Sequence, residues 1–278
     1  MGNCALPCFS SDANEQKIEI IAENNRKKGG ASLNLSGALE ERPAVVLDGD
    51  VKYTGQWRGN VREGKGKLER PDGGVYEGQF KNNSAHGEGV FTHANGDTYS
   101  GQWVEDKAEG WGKFTHADGS SSYEGQWEAD MQQGKGTEIW SDDSRFEGEY
   151  RNSKKHGYGT FTWAEGSSYK GEFFENNIHG RGIYRWQDGR VYEGEWVNNH
   201  MDGTGKMTWD DGRVYEGQYK EDKKDGEGTF KWPDGRQYTG MWKDGRQHGK
   251  GVYTNREGVA RSGEWQDGKR LYWDDEKK

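Results

Sequence analysis

Aromatic and polar residues alternate along most of this chain in short segments that recur at a fixed interval. Between Val75 and Phe80, the side chains of Tyr76, Gly78 and Phe80 alternate with polar residues. Such a period of two places alternate side chains on opposite faces of a β-strand. A second segment, from Gly87 to His93, alternates glycine and aromatic residues in the same way. Each repeat therefore predicts two strands with one face of glycine and aromatic residues and one polar face.

The pattern Tyr-x-Gly-x-Trp recurs about every twenty-three residues from Tyr53 to Tyr238, with one extra serine before Tyr123. A fixed period of this size is typical of stacked units that mainly contact their neighbours. Short polar connectors between the strands favour antiparallel hairpins laid side by side. We therefore predict an all-β fold, an elongated single-layer antiparallel sheet of stacked β-hairpins with about nineteen strands, which its right-handed twist would curl into a trough.

The glycines have two predicted roles. Gly78, Gly87 and Gly89 would leave room on the sheet for neighbouring aromatic rings. The glycines of the Asp-Gly pairs would instead occupy turn positions with positive φ; they include Gly189, Gly212 and Gly235. Within one repeat, the connector between the two strands is predicted to run from Lys81 to His86.

The repeats divide the chain into three parts. Residues 1–50 form a predicted N-terminal tail with a short helix over residues 13–28, followed by a linker over residues 29–50. Residues 51–273 contain nine full repeats and a degraded tenth, whose glycine is replaced by Tyr272. Residues 274–278 form a charged end. Three residues are expected to cap the array at its C-terminal end: Leu271, Tyr272 and Trp273.

The repeated unit resembles the MORN (membrane occupation and recognition nexus) repeat. The shared features are Tyr-x-Gly-x-Trp, a Gly-x-Gly that begins seven positions after the Trp, and an Asp-Gly turn before the next Tyr. The resemblance extends over residues 51 to about 265. It implies a scaffolding or recognition role rather than catalysis, because related arrays hold an extended or helical peptide in their trough. The catalytic domains attached to some members are not expected here, since few residues lie outside the array.

Composition narrows the function further. Apolar residues make up 29% of the chain and charged residues 31%, which is too lean a mixture for an ordinary core of 278 residues. The net charge of −9 argues against nucleic acid as a partner. The two cysteines, Cys4 and Cys8, provide no disulfide framework for the repeats, which favours a cytoplasmic setting. No apolar segment approaches the roughly 20 residues that a membrane span requires.

A single sheet has no second layer, so part of its aromatic face is expected to bind a partner. The rings of the first columns, from Tyr76 to Trp242, are predicted to form the core. A column two positions further along the second strand of each repeat is the candidate partner-binding site for a helical or extended protein segment. Its members are Trp140, Trp163, Trp186, Trp209 and Trp232.

The N-terminus carries a second signal. Gly2 would be the acceptor for myristate after removal of Met1, although Leu6 stands where Ser or Thr is preferred. Palmitate on Cys4 and Cys8 would supply the additional acyl chains that stable membrane anchoring requires. We therefore predict a lipid-anchored protein on the cytoplasmic face of a membrane. The alternative is an unmodified tail with two incidental thiols.

Other functions are less favoured by the sequence. Direct binding of acidic phospholipid would rely on local patches at Lys154-Lys155 or Lys223-Lys224 in an array with more acidic than basic residues. A cytoskeletal or axonemal structural component and a glycan or choline binder are further alternatives. No metal, cofactor or enzymatic activity is predicted, because the histidines before the Gly-x-Gly pairs recur only once per repeat. The ends of an open sheet would permit end-to-end homodimers.

Overall fold

The computed structural model describes residues 36–276, which fold into antiparallel β-strands without an α-helix. These residues form two compact units, divided between Lys154 and Lys155. In each unit, every strand pairs with the next one along the chain. The predicted all-β class and the stacked hairpins are confirmed. Gly2, Cys4, Cys8 and the helix predicted over residues 13–28 lie outside the described residues.

The first unit, over residues 36–154, contains ten strands. They are β1 (Glu40–Val46), β2 (Lys52–Arg58), β3 (Val61–Glu69), β4 (Val75–Lys81), β5 (Ser84–Thr92), β6 (Thr98–Val104), β7 (Lys107–Thr115), β8 (Ser121–Glu128), β9 (Met131–Trp140) and β10 (Arg145–Arg151).

The second unit, over residues 155–276, contains eleven strands, the first of which begins one residue earlier. They are β11 (Lys154–Thr162), β12 (Ser168–Phe174), β13 (Asn177–Arg185), β14 (Val191–Val197), β15 (His200–Thr208), β16 (Val214–Lys220), β17 (Lys223–Lys231), β18 (Gln237–Lys243), β19 (Arg246–Thr254), β20 (Ala260–Gln266) and β21 (Lys269–Trp273).

The core of each unit consists of aromatic rings that lie on glycines. Tyr76 is fully buried, and its ring packs edge to face against Phe80 and Trp103, each with centroids 5.1 Å away. Its hydroxyl donates a hydrogen bond to the carbonyl of Gln79 at 2.9 Å. A Cβ atom on Gly89 would lie 2.3 Å from that hydroxyl oxygen. The predicted ring-packing role of Gly78 and Gly89 is therefore confirmed.

Gly87 has a different role from the one predicted. Its φ is +70°, and a Cβ atom there would lie 1.9 Å from the side-chain oxygen of Gln79 rather than against a ring. The β4–β5 register shifts between Gly78 and Phe80, so β5 carries extra residues at a bulge. Gln79 closes this bulge by accepting a hydrogen bond from the backbone N–H of Glu88 at 3.2 Å. Strict alternation of side chains is broken at the bulge, so the prediction for Gly87 was wrong.

The turn inside a hairpin is shorter than the predicted connector from Lys81 to His86. Strand β4 ends at Lys81 and β5 begins at Ser84, so Asn82 and Asn83 alone form the turn, with φ values of 52° and 72°. The side-chain oxygen of Asn83 accepts the backbone N–H of Arg62 at 2.8 Å, which ties each turn to the preceding hairpin. The Asp-Gly turns agree with the prediction; the φ values of Gly189, Gly212 and Gly235 are 86°, 85° and 90°.

The N-terminal edge of the first unit differs from the predicted linker. Strand β1 lies within residues 29–50 and pairs with β2, with a register shift between Arg42 and Val45. The sequence gives no strand signal there because β1 lacks the alternation of glycine with aromatic residues, and Pro43 interrupts it.

At the C-terminal end, the three predicted capping residues differ in burial: Trp273 is buried, Tyr272 is half-buried and Leu271 is exposed. Trp273 is 6% exposed and packs edge to face on Trp265 at 5.8 Å. Leu271 is 53% exposed, so its predicted capping role is wrong. Residues two positions apart on a regular strand lie on the same face. The pairing of β20 with β21 shifts register between Glu264 and Trp265, so Leu271 and Trp273 differ in exposure.

Candidate functional site

The predicted tryptophan column lies where strands end. In the unit over residues 155–276, the four residues Trp163, Trp186, Trp209 and Trp232 directly follow the last residues of β11, β13, β15 and β17. The backbone N–H of each donates to the carbonyl oxygen four residues later, at 2.9 to 3.0 Å. These bonds fix each tryptophan as the first residue of a tight loop. In the other unit, Trp140 is the last residue of β9, and its N–H donates to the carbonyl of Ser144 at 3.0 Å.

All five tryptophans are half-buried, in contrast to the core rings. Trp186 packs on Tyr184, with ring centroids 4.4 Å apart. Trp163 packs on Phe161 at 4.5 Å and on Tyr184 of the next hairpin at 5.1 Å. One side of each of the four indoles in the second unit is thus supported by core rings, and the remaining surface is accessible. This combination suits a contact surface, because little side-chain entropy is lost when a supported ring binds.

Three of the tryptophans carry an arginine that sequence reasoning missed. Arg190 lies over the Trp186 ring at 4.9 Å, and its Nε donates to Asp188 at 2.8 Å. The same arrangement recurs in the two following repeats, with Arg213 over Trp209 and Arg236 over Trp232, each at 5.4 Å. The signal was present as Trp-x-Asp-Gly-Arg in three successive copies, which we interpreted only as a turn.

Hydrogen bonds set the charge state of these turns. The hydrogen bond from Arg236, with further help from Arg256, lowers the pKa of Asp234 to about 2. The hydrogen bond from Arg213 likewise lowers the pKa of Asp211. Both carboxylates are therefore ionised at neutral pH, and each pins a guanidinium above an indole ring. The column presents alternating indole rings and paired charges rather than a purely apolar strip.

Lys224 is a second cation near aromatic rings that sequence reasoning missed. Its ammonium lies 4.6 Å from the Phe230 ring, 4.9 Å from Trp242 and 5.1 Å from both Trp209 and Tyr215. Lys155, in the other proposed basic patch, is only 9% exposed. One lysine of each patch is thus engaged with the protein, which weakens the phospholipid-binding alternative.

The column has polar members in the first unit. Arg70 pairs with Asp72 at 3.3 Å. The ring of His93 packs edge to face on Phe91 at 4.5 Å, and burial lowers the pKa of that histidine. These residues do not extend the indole surface, so the aromatic part of the column is confined to Trp140 and to the four tryptophans of the second unit.

Neither a metal site nor a membrane-spanning helix is found in the part of the chain that the structure describes. Within residues 36–276, no group of three or more His, Cys, Asp or Glu side chains is arranged to hold a metal ion. The same part of the chain contains no helix with the length and apolarity required to cross a bilayer.

Comparison with known proteins identifies the repeats. The MORN repeat family model matches nine consecutive segments between residues 53 and 258, and together these cover more than half of the chain. The chain belongs to the MORN repeat family. The nine segments coincide with the nine full repeats predicted from the sequence, and MORN repeats indicate a repeat-based scaffold for protein binding or membrane association. The family is generally non-catalytic.

No curated protein matches the MORN chain. Among solved structures, the TCP domain of Drosophila melanogaster SAS-4, in complex with a proline-rich motif of Ana2, is 12% identical with a TM-score of 0.32, and the match covers 71% of this chain and 88% of that one. The TCP10 domain of Danio rerio CPAP is 12% identical with a TM-score of 0.34, covering 83% and 98% of the two chains. At TM-scores this low, neither similarity supports a conclusion about this MORN protein.

Proposed function

We propose that this protein is a non-catalytic scaffold that docks an extended or helical protein segment along the tryptophan column. The observation that carries the proposal is the row of half-buried indoles in four consecutive repeats, from Trp163 to Trp232, each of which packs on a core ring. Because the repeats are regular, a partner that presents apolar side chains at a matching spacing would contact several indoles at once. Aromatic residues of this kind dominate the binding energy of many interfaces.

The arginine and aspartate side chains beside the indoles would orient the partner. Each Trp-x-Asp-Gly-Arg turn offers a guanidinium stacked on an indole and a carboxylate next to it. Backbone amide groups of a bound segment can hydrogen-bond to such paired charges without introducing an unpaired buried charge. The proposed partner is therefore a protein segment rather than a membrane surface.

A peptide-display selection on the full-length protein would test this proposal. Peptides recovered on the wild-type protein are then measured by calorimetry against the Trp186→Ala/Trp209→Ala double variant. We expect the affinity to fall at least tenfold, because truncating a central aromatic contact typically costs about 2 kcal/mol or more. The circular dichroism spectrum is expected to stay unchanged, since neither indole belongs to the buried core.

The matched control removes two exposed aromatic residues from the other face of the same unit. Tyr158 and Phe174 are 55% and 51% exposed, and the Tyr158→Ala/Phe174→Ala variant is expected to bind the peptides as the wild type does. If the selected peptides bind both double variants with wild-type affinity, the tryptophan column is not the docking site.

We further propose that the N-terminal tail tethers this scaffold to the cytoplasmic face of a membrane through myristate on Gly2 and palmitate on Cys4 and Cys8. Labelling cells with a myristate analogue tests the first step, with Gly2→Ala as the control. An unlabelled wild-type protein would rule out myristate anchoring. End-to-end homodimers also remain a prediction, which sedimentation of the full-length protein would check.

A further inference from the structure

The tryptophan column has a regular spacing that a bound segment must match. Trp163 and Trp186 both pack on Tyr184, with ring centroids 5.1 and 4.4 Å from it. Trp209 and Trp232 are joined in the same way by a phenylalanine of β17, at 5.6 and 4.6 Å. Because one ring connects the two indoles of each pair, they lie at most about 10 Å apart, in agreement with the roughly 9.6 Å that two neighbouring strands span.

Among the regular conformations of a polypeptide, the polyproline II helix matches this interval. It has three residues per turn, so every third residue returns to the same face after about 9.3 Å. Two turns of an α-helix span about 10.8 Å, which exceeds the separation of the indoles. On an extended strand the same face recurs every second residue, after about 6.8 or 13.6 Å. A polyproline II segment would therefore place one residue beside each successive indole with little accumulated mismatch.

The indole N–H groups of the column suit a backbone without internal hydrogen bonds. In the core of the same unit, Trp196 and Trp242 donate to glycine carbonyls, at 3.4 and 3.1 Å. The Nε1 atoms of Trp186, Trp209 and Trp232 are instead accessible, and they donate to no protein atom within residues 36–276. The carbonyl groups of a polyproline II helix have no internal donors, so they can accept these three N–H groups.

Two carboxylates in the turns of the column have no ion pair. Glu165 stands at the position of Asp188 in its own turn, but Ser167 replaces the arginine that would pair with it. Asp210 directly follows Trp209. Both carboxylates are exposed, and neither lies within salt-bridge distance of a cation in the part of the chain that the structure describes. The arginines of these turns are already paired with aspartate, so the unpaired charge is negative and a basic residue of the partner would complement it.

We infer that the partner of the tryptophan column is a proline-rich segment in the polyproline II conformation. It carries proline at every third position and a basic residue between two of the prolines. Proline offers an apolar ring to each indole, and its preformed helix loses little conformational entropy on binding. This inference rests on the proposed docking function and specifies the class of segment that docks.

Isothermal titration of the full-length protein with two synthetic peptides tests the inference. Both peptides contain the same proline, alanine and arginine residues, but proline stands at every third position in one and at every fourth position in the other. We expect saturable binding of one period-three peptide per chain. The period-four peptide should bind at least tenfold more weakly, because its successive prolines point in different directions around a helix with three residues per turn.

Variants of the protein test the hydrogen bond and the charge separately. Trp209→Phe keeps a ring but removes the N–H donor, so it should weaken binding of the period-three peptide several-fold. Trp111→Phe is the matched control, because Trp111 is 51% exposed but lies outside the column, and it should leave the affinity unchanged. Replacing the arginine of the peptide by glutamine should weaken binding to the wild type several-fold, and this difference should disappear in the Asp210→Asn variant.

Three results would overturn the inference. They are absence of saturable binding, equal affinity for the two peptides, and equal effects of Trp209→Phe and Trp111→Phe. Peptides selected by display separate it from the docking function itself. If they lose affinity in the Trp186→Ala/Trp209→Ala variant but lack a three-residue proline period, the column docks a segment of another class and only the present inference fails. If neither they nor the period-three peptide lose affinity in that variant, both proposals fail.

Discussion

At the scale of single residues, stability depends on glycines that accept aromatic rings. Gly89 does not have positive φ, yet a Cβ atom there would lie 2.3 to 2.6 Å from atoms of the buried Tyr76 ring. That ring is held between two neighbouring rings and cannot move aside. We expect Gly89→Ala to lower the free energy of unfolding by about 3 kcal/mol, the upper end of typical overpacking costs. Urea denaturation followed by tryptophan fluorescence measures this change.

Gly258→Ala is the matched control for that substitution. Gly258 has a φ of +80° and no atom within 4 Å of an added Cβ. Only the conformational penalty of about 1 kcal/mol then applies. If the two variants lose equal stability, backbone conformation rather than ring packing determines the need for glycine.

An aspartate in a hairpin turn predicts a pH dependence of the stability of the protein. Asp130 accepts the backbone N–H of Ala108 at 2.7 Å, and burial raises its pKa from 3.8 to about 6. The folded state therefore binds a proton more readily than the unfolded chain between these two values, and this group makes the protein less stable as pH rises from about 4 to 6. Asn83 and Asn199 occupy the equivalent position in other repeats and keep the acceptor without the charge. We expect Asp130→Asn to raise the melting temperature at pH 7.5 and to remove this dependence.

Asp234→Asn provides the opposite case. Hydrogen bonds from arginine lower the pKa of Asp234 to about 2. The stability that this carboxylate contributes to the fold is therefore present above pH 3.8 and is lost as pH falls through about 2. This variant should melt at a lower temperature than the wild type at pH 7.5. A rise in melting temperature for Asp234→Asn, or a fall for Asp130→Asn, would contradict the assigned directions.

At the scale of the hairpin, one side chain of the first strand closes the bulge. It lies between the glycine and the last aromatic residue of that strand. Gln56, Gln126 and Gln218 each accept a backbone N–H across the hairpin, at 2.7 to 2.9 Å. In the ninth repeat Met241 occupies this position and is 40% exposed. We expect Met241→Gln to stabilise the protein by about 1 kcal/mol, the typical net value of one hydrogen bond.

Met241→Leu serves as the control, because leucine also lacks an acceptor. Thermal unfolding should place the glutamine variant above the wild type and the leucine variant close to it. If Met241→Gln gains no more than Met241→Leu, the glutamine hydrogen bond seen in other repeats is not a source of stability.

These hairpins also show which parts of the fold follow from sequence alone. Alternation of Tyr76, Gly78 and Phe80 was sufficient to predict a strand with one aromatic face, and the period was sufficient to predict stacking. The bulge at Gly87 could not be predicted, because two extra residues look the same in sequence as continued alternation. Strand β1 was missed because its pairing depends on β2 rather than on its own residues.

At the scale of the molecule, the candidate site was only partly predictable. The recurrence of tryptophan at one position was sufficient to select Trp186 and Trp209, and the structure places both at equivalent loop positions. The stacked Arg190 and the four rings around Lys224 depend on contacts between neighbouring hairpins. Side-chain contacts of this kind cannot be deduced from periodicity, although periodicity identifies the repeats that make them.

Regular stacking also predicts how far the effect of a destabilising substitution extends within one unit. Each strand of the second unit pairs only with its sequence neighbours, so stability should be a sum of hairpin terms and nearest-neighbour terms. A Cβ atom on Gly205 in β15 would lie 2.3 Å from the hydroxyl oxygen of Tyr192. We expect Gly205→Ala to increase hydrogen exchange of backbone amides in β14, β15 and β16, with little change in β20.

The control is Thr204→Ala, which changes the adjacent exposed residue of the same strand. It should leave exchange in β14, β15 and β16 close to that of the wild type, as measured by mass spectrometry of peptic fragments. A uniform increase from β12 to β20 in the Gly205→Ala variant would show that the unit opens as one cooperative body. Docking at Trp186 could then not be separated from the stability of the more distant repeats. A local increase would instead allow the tryptophan column to be altered one repeat at a time.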